Sequence, residues 1–350
     1  MTVTAEHSCD RRRLLGVFAG FGAGLVGSLQ TFVNGRLGTT LDNGILAATI
    51  SFASGAAILT LLLLLFPKGR EGIGRVWASL RAGRKRATAA ELAAHPSVPD
   101  IGRLRWFQVM GGAAGGFFVA AQGITVGSIG VALFVVSVTA GQSLSSLCCD
   151  LLGLAPGGRH PLTIGRALGP LLAIAAVFVA RWGTFGDADQ WYLLALPMIA
   201  GVVVAMQHAV NGRVVATAAA DVTKAGKVER STGTFTATFI NFVVGTVTLL
   251  VVLVIALIIQ GLPDGGFPST WWLYTGGVLG VIFIGTAAAV VHRIGVLLLA
   301  LSLIAGQVTG GLLLDLAQGA DLATRMFIAV ALTFCAVAAP KLVGRRKDDG

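Results

Sequence analysis

Few residue types in this chain could do chemistry inside an apolar setting, and those best placed are carboxamides. Gln30 and Asn34 stand four residues apart in Gln30-Thr31-Phe32-Val33-Asn34-Gly35-Arg36, and the pattern returns as Gln207-His208-Ala209-Val210-Asn211-Gly212-Arg213. Four residues make about one helical turn, so each Gln shares a face with its Asn. Each motif closes an otherwise apolar, Gly- and Val-rich run. A carboxamide carries two donors and an acceptor, and leaving one unpaired in hydrocarbon costs on the order of 4–8 kcal/mol. These side chains therefore face protein or a wet cavity. Two readings stand: stacked amides that serve a polar solute, or plain interhelical hydrogen bonds worth ~0.6–2 kcal/mol. For Asn34 and Asn211 a third is a helix C-cap before the following glycine. Gln142 with Gln307, and Ser137 with Ser302, recur in later apolar runs, and Gln122, Ser51 and Asn241 add to the neutral polar set.

The elements that hold these residues are membrane spans. Of the 350 residues 55% are hydrophobic and 12% charged, and the mean hydropathy is +0.82; a soluble domain carries about 25% charge. The fold class is thus all-α integral membrane, its first partner the lipid bilayer. The net charge of +10 reflects where basic residues fall in a membrane protein, and nucleic acid is not a partner. Cys9, Cys148, Cys149 and Cys335 fit neither a disulfide framework nor a metal site. No metal, no cofactor and no catalytic constellation is expected. Gly22-x-Gly24-x-x-Gly27 matches a dinucleotide fingerprint by chance, since neither the strand nor the acid that give it meaning accompany it.

Ten apolar runs reach the ~20 residues that a bilayer requires, lying near 14–33, 44–66, 106–126, 129–152, 163–180, 191–210, 234–259, 271–291, 294–314 and 323–343. With both termini in the cytoplasm, 23 of the 26 basic residues fall on that side, leaving Arg36, Arg181 and Arg325 outside. The positive-inside bias supports that orientation. Cytoplasmic basic loops then span 67–105 and 213–232, the first lying on the anionic leaflet.

An internal repeat organises the chain. Shifted by 165 residues, 106–150 superposes on 271–315 without a gap, and Trp106, Gly111, Gly112, Gly115, Phe118, Gly130, Ser137, Gly141, Gln142 and Asp150 meet identical residues. Phe52-x-x-Gly55 likewise matches Phe242-x-x-Gly245. The halves are 1–181 and 182–350, each of five spans. An odd number inverts the second half in the membrane, a construction of secondary transporters that bind substrate between repeats and alternate access. Gln30, Asn34, Gln207 and Asn211 would form two lips of such a pathway, with Gln142, Gln307, Ser137 and Ser302 toward its middle.

The five-plus-five order, the Gln-x-x-x-Asn motif, Ser51-Phe52-x-x-Gly55 and Ala140-Gly141-Gln142 together resemble the YdcZ-type family of the drug/metabolite transporter superfamily. Its members are commonly single five-span proteins described as inner-membrane exporters, so this chain resembles a fused tandem form. The resemblance implies export of small molecules from the cell and leaves the substrate open. The superfamily's small multidrug exporters use a carboxylate in the first helix; here that neighbourhood reads Gly16-Val17-Phe18-Ala19-Gly20, which disfavours proton-coupled efflux of cations through such a residue.

Symmetry suggests one more device. Arg36 and Asp315 fall at the outer surface and their mates Arg213 and Asp150 at the inner one, so the two pairs are either gates or solvated charges. The function expected is transport of small polar metabolites or drugs. The alternatives are a passive channel of the same fold and a non-transporting scaffold or lipid-handling protein. A second copy of the chain is admissible as a partner.

Overall fold

The computed structural model describes residues 2–82, 104–152, 164–180, 182, 191–219, 227–263, 265–320 and 324–345. Its helices are α1 (Thr2–Thr40), α2 (Gly44–Leu65), α3 (Pro67–Ala82), α4 (Gly111–Leu152), α5 (Ile164–Ala180), α6 (Trp191–Ala218), α7 (Lys227–Gln260), α8 (Gly276–Ala317) and α9 (Thr324–Arg345). Among the described residues six helices are long and apolar enough to cross a membrane, and Ala167–Ala180, Gly276–Ala287 and Thr324–Ala336 are shorter apolar helices. The outward faces of α2 and α7 carry Leu61, Leu64, Val251, Ile255 and Ile258, each more than half exposed. Such faces suit lipid, where no water-facing polar surface is needed.

Local sequence sets the helix ends. Asn43 caps α2, its Oδ1 accepting from the Leu46 N–H at 2.8 Å. Pro67 stops α2 and begins α3, where its missing N–H is no loss. From α3, Arg70 donates back to the carbonyls of Leu63 and Leu64, a cation at the negative end of α2. Part of the expected basic loop 67–105 is therefore helical; 83–103 lies outside the described residues. α3 packs Val76 with Val214, Ala218 and Ala237, which fastens it over the Arg213 ends of α6 and α7.

At 42 residues, α4 and α8 would each run ~63 Å if straight, twice a bilayer core. Both fold back. The rings of Phe118 and Phe134 lie 5.7 Å apart, where sixteen residues of continuous helix would separate them by ~24 Å. The bend falls at Gly130, whose φ of 80° and ψ of 168° leave the helix, a conformation open to glycine. The two N–H groups just after the bend, Val131 and Ala132, each donate at 2.9 Å to the Asp315 carboxylate. In α8, Phe283 and the Gln307 amide both stand about 3 Å from where a Gly27 Cβ would lie, although twenty-four residues separate them. The apolar runs 106–126 and 129–152 are thus two arms of α4, and 271–291 and 294–314 two arms of α8, which turns back between Phe283 and Gln307; side chains at 291–298 lie outside the described residues.

Glycines set how closely the arms cross. A Cβ at Gly24 would lie 2.8 Å from Gly306 Cα, and one at Gly201 3.0 Å from the Gln142 amide nitrogen. These two crossings hold α1 on α8 and α6 on α4. Gly112 meets Gly245 and Gly277 meets Gly55 in the same manner, which fixes α4 on α7 and α8 on α2. Between α2 and α7, the rings of Phe52 and Phe242 meet at 5.0 Å, tilted by 34°, Phe52 seated over Gly245 and Phe242 over Gly55. α5 and α9 complete the bundle through small residues, Ala173, Ala176, Ala329 and Ala336.

Gly24→Leu is expected to break the α1–α8 crossing, since overpacking costs ~1–3 kcal/mol even where backbone is not the obstacle. The detergent-solubilised variant should melt well below wild type or aggregate. Gly22→Leu, at a position where an added Cβ would meet nothing within 4 Å, should melt at or near the wild-type temperature.

Candidate functional site

Both Gln-x-x-x-Asn motifs lie inside helices, because α1 continues to Thr40 and α6 to Ala218. The C-cap reading of Asn34 and Asn211 is therefore corrected. The helix persists through Gly35 because that residue seats Val126, whose Cβ would lie 2.5 Å from an added one. Thr39 and Thr40 bond back to the carbonyls of Gly35 and Arg36 in the turn that follows.

Each motif faces a pair of glycines at the start of a facing arm. In the first copy, Gln30 Nε2 stands 2.7 Å from the position of a Gly280 Cβ, and Asn34 Oδ1 closes on Gly276. In the second, Gln207 Nε2 stands 2.8 Å from the position of a Gly115 Cβ and Asn211 Oδ1 2.5 Å from that of Gly111. The same glycines touch the central rings, Gly115 near Phe52 and Gly280 near Phe242. Gln30 and Gln207 thus flank the aromatic pair, nearer the middle of the bundle than lips would be.

Their hydrogen bonds differ. Asn34 Nδ2 donates to Gln122 Oε1 at 2.7 Å, and Gln122 Nε2 donates to Thr31 Oγ1 at 2.9 Å, all of it buried. In the second copy Asn241 Oδ1 accepts from Gln207 Nε2 at 2.8 Å and from Asn211 Nδ2 at 3.3 Å. Asn34 Oδ1 and the hydroxyls of Ser51 and Ser137 are buried with no partner. Gln142 and Ser302 are partnered. Gln307 aims its amide at Gly27 of α1.

Arg36 and Asp315, one of the two pairs expected to gate, do not meet in this structure. Asp315 is 4% exposed and is occupied by the N–H groups of Val131 and Ala132. Arg36 stacks over Phe32 at 5.7 Å and donates to Gln318 Oε1 at 2.6 Å, while Phe32 stacks on Trp272. The reason is geometric: two aligned backbone donors at the Gly130 bend outcompete one exposed guanidinium for a buried carboxylate. Arg213 is exposed, and the side chain of Asp150 lies outside the described residues. Thr31 was not singled out by the repeat, because its mate is His208. Gln122, whose mate is Ala287, carried only the signal of a lone amide in an apolar run.

Gln122→Leu orphans the Asn34 amide and should destabilise by ~1–3 kcal/mol, read as a lowered melting temperature in detergent. Adding Asn34→Leu should recover part of that loss, because removing both partners avoids the unpaired group.

A family profile described as "Putative inner membrane exporter, YdcZ" matches residues 15–83, 86–179 and 192–339. No curated protein matches the chain. Nine solved chains match; one, described as "Crystal structure of protein", is 20% identical over 96% of this chain and 98% of its own, with a TM-score of 0.49, too loose a likeness to bear on function. The profile takes in most of the chain and every residue of both amide clusters, and the protein belongs to this exporter family as a multi-pass protein of the inner membrane.

Proposed function

We propose that the protein is a secondary exporter of small polar molecules that alternates access across ten crossings, arranged as inverted repeats 1–181 and 182–350 with both termini cytoplasmic. The reading is supported by the equivalent pairings α1 with α8 and α6 with α4, α2 with α7, and α5 with α9. The neutral amides Gln30, Asn34, Gln207 and Asn211, with Gln142, Gln307, Ser137 and Ser302 beyond them, would line the pathway.

One observation carries it: equivalent positions at the two ends have unequal surroundings. At the Arg36 end, α1 packs on the first arm of α4, with Gly38 against Gly123 and Thr39 against Gly127, and Asn34 is fully buried. At the Arg213 end the mate of Gly35, Gly212, is exposed and an added Cβ there would meet nothing within 4 Å. Asn211 is only half-buried. Among the described residues α6 and α8 have no packing comparable to that of α1 and α4; the side chains at 288, 289 and 291–298 of α8 lie outside them. Two repeats of one construction in two arrangements are what an alternating device presents in a single state. The positive-inside bias puts the open end in the cytoplasm, so this would be the cytoplasm-open state. The outer seal is then the Asn34–Gln122–Thr31 layer and the α1–α4 contact, a role the sequence suggested for Arg36 and Asp315. A passive channel fits less well, since one end is sealed.

The Cβ of Thr39 is 3.5 Å from the Cβ position of Gly127, within the range that a disulfide spans. Thr39→Cys with Gly127→Cys should crosslink on oxidation and trap this state. In proteoliposomes, flux of a compound first identified by thermal-shift screening should fall at least tenfold and return with reductant. Undiminished flux through the crosslinked protein would refute alternating access.

A further inference from the structure

The two amide clusters share walls but differ in what completes them. In the second copy the Asn241 side chain is the centrepiece: its carbonyl oxygen accepts from both Gln207 and Asn211, and its amide nitrogen lies 3.2 Å from the position of a Gly115 Cβ. Asn241 directly precedes Phe242. The residue that directly precedes Phe52 is Ser51, two heavy atoms shorter and without an amide.

The consequences fall on the first copy. The side chain of Gln30 makes no hydrogen bond to the described protein, although Gln30 stands over Gly280 as Gln207 stands over Gly115. Asn34, fully buried, gives its amide to Gln122 and keeps Oδ1 unpaired. Ser51, 2% exposed, keeps its hydroxyl unpaired. Asn34 Oδ1 and Ser51 Oγ converge on Gly276, the hydroxyl 2.7 Å from the position of its Cβ. Unpaired polar atoms this deeply enclosed cost ~1–3 kcal/mol each. They are tolerable where a ligand supplies the missing bonds.

We propose that Gln30, Asn34 and Ser51, against Gly276 and Gly280, form a subsite for a primary carboxamide of the transported molecule, which takes the place that the Asn241 side chain holds in the second repeat. This rests on the transport reading and names its substrate class. The amide NH2 of the ligand donates to Asn34 Oδ1 and Ser51 Oγ, and its carbonyl accepts from Gln30 Nε2. A carboxylate in that position has no proton for Asn34 Oδ1, and no described cation is at hand to offset burial of its charge. A tertiary amide fails on the same missing donor.

Ser51→Asn tests this, because it installs the amide that the second repeat already accommodates. On purified wild type, nicotinamide and acetamide at millimolar concentration should raise the melting temperature saturably, while nicotinate, acetate and N,N-dimethylacetamide should not. Ser51→Asn should melt at or above the wild-type temperature without ligand and bind the amides at least tenfold more weakly. Should Ser51→Asn not fold, Asn241→Ser supplies a second reading, since opening the second cluster should raise the bound amide from one to two per chain. No stabilisation by either amide, equal stabilisation by the acids, or unchanged affinity in Ser51→Asn together with one amide per chain in Asn241→Ser would each overturn the assignment. Flux of a non-amide compound through wild-type proteoliposomes separates the failures. If such flux persists and is blocked by the Thr39–Gly127 crosslink while amides do not bind, the subsite is wrong and the transporter stands.

Discussion

Close approach of helix backbones is the constraint on which the rest of this structure depends. Lipid tails are as apolar as leucine, so helices in a bilayer associate through packing and hydrogen bonds rather than through the hydrophobic effect. Gly24 against Gly306 and Gly201 against the backbone of Val138 and Gln142, with Gly112 on Gly245 and Gly277 on Gly55, bring backbone to backbone in two matched sets. Phe52 and Phe242 then nest reciprocally over Gly245 and Gly55, as a pair of self-complementary surfaces about a two-fold does. Only because Gly111, Gly115, Gly276 and Gly280 lack side chains can amides four residues apart on α1 and α6 reach the facing arms. The glycines and the carboxamides are therefore one feature: the first make the room in which the second sit.

Bending α4 exposes a second constraint. Backbone N–H groups freed inside a bundle have no water to turn to, and each must be satisfied by protein. Gly130 breaks the helix, and the freed amides of Val131 and Ala132 are met by Asp315 from the far end of α8. An acid at a helix N-terminus is also favourably placed in the field of the peptide dipoles. Asp315 thus joins the two hairpins at the Arg36 end, which accounts for a buried acid in a chain otherwise poor in them. It also explains why charge is absent from the amide clusters: the acid near them is committed to structure.

Much of this was legible in the sequence. The repeat, the membrane class, the hairpin pairs and the family followed from identities such as Gly111 and Gly276 and from the spacing of apolar runs. The ends of α1 and α6 were not, because Gly35 and Gly212 read as stops when only local propensity is weighed; Val126 packing on Gly35 overrides it. The partner of Asp315 was missed because a backbone donor leaves no trace in residue types. Gln122 and Asn241 were visible as isolated amides, but the repeat hid their importance, since their mates are Ala287 and Ser51. Identity between halves marks the packing they share. Difference between halves marks where their amide clusters part.

That distinction bears on how a nearly symmetric protein can be directional. If the repeats were identical, the two amide clusters would be equivalent and neither would be preferred by a solute. Here Gln207 and Asn211 are satisfied internally by Asn241, whereas Asn34 is tied to Gln122 in the layer that closes the Arg36 end. On the alternating-access reading proposed above, opening that end would separate α1 from the first arm of α4, break the Asn34–Gln122 bond and return a second amide group to the first cluster. The polar capacity of that cluster would then be coupled to the closure, while that of the second cluster would not. On the same proposal a ligand that competed for Asn34 would weaken the seal, and by reciprocity loss of the seal would alter its affinity. The asymmetry between Ser51 and Asn241 is small in atoms, yet under that proposal it would place the solute-responsive half of the device on the first repeat.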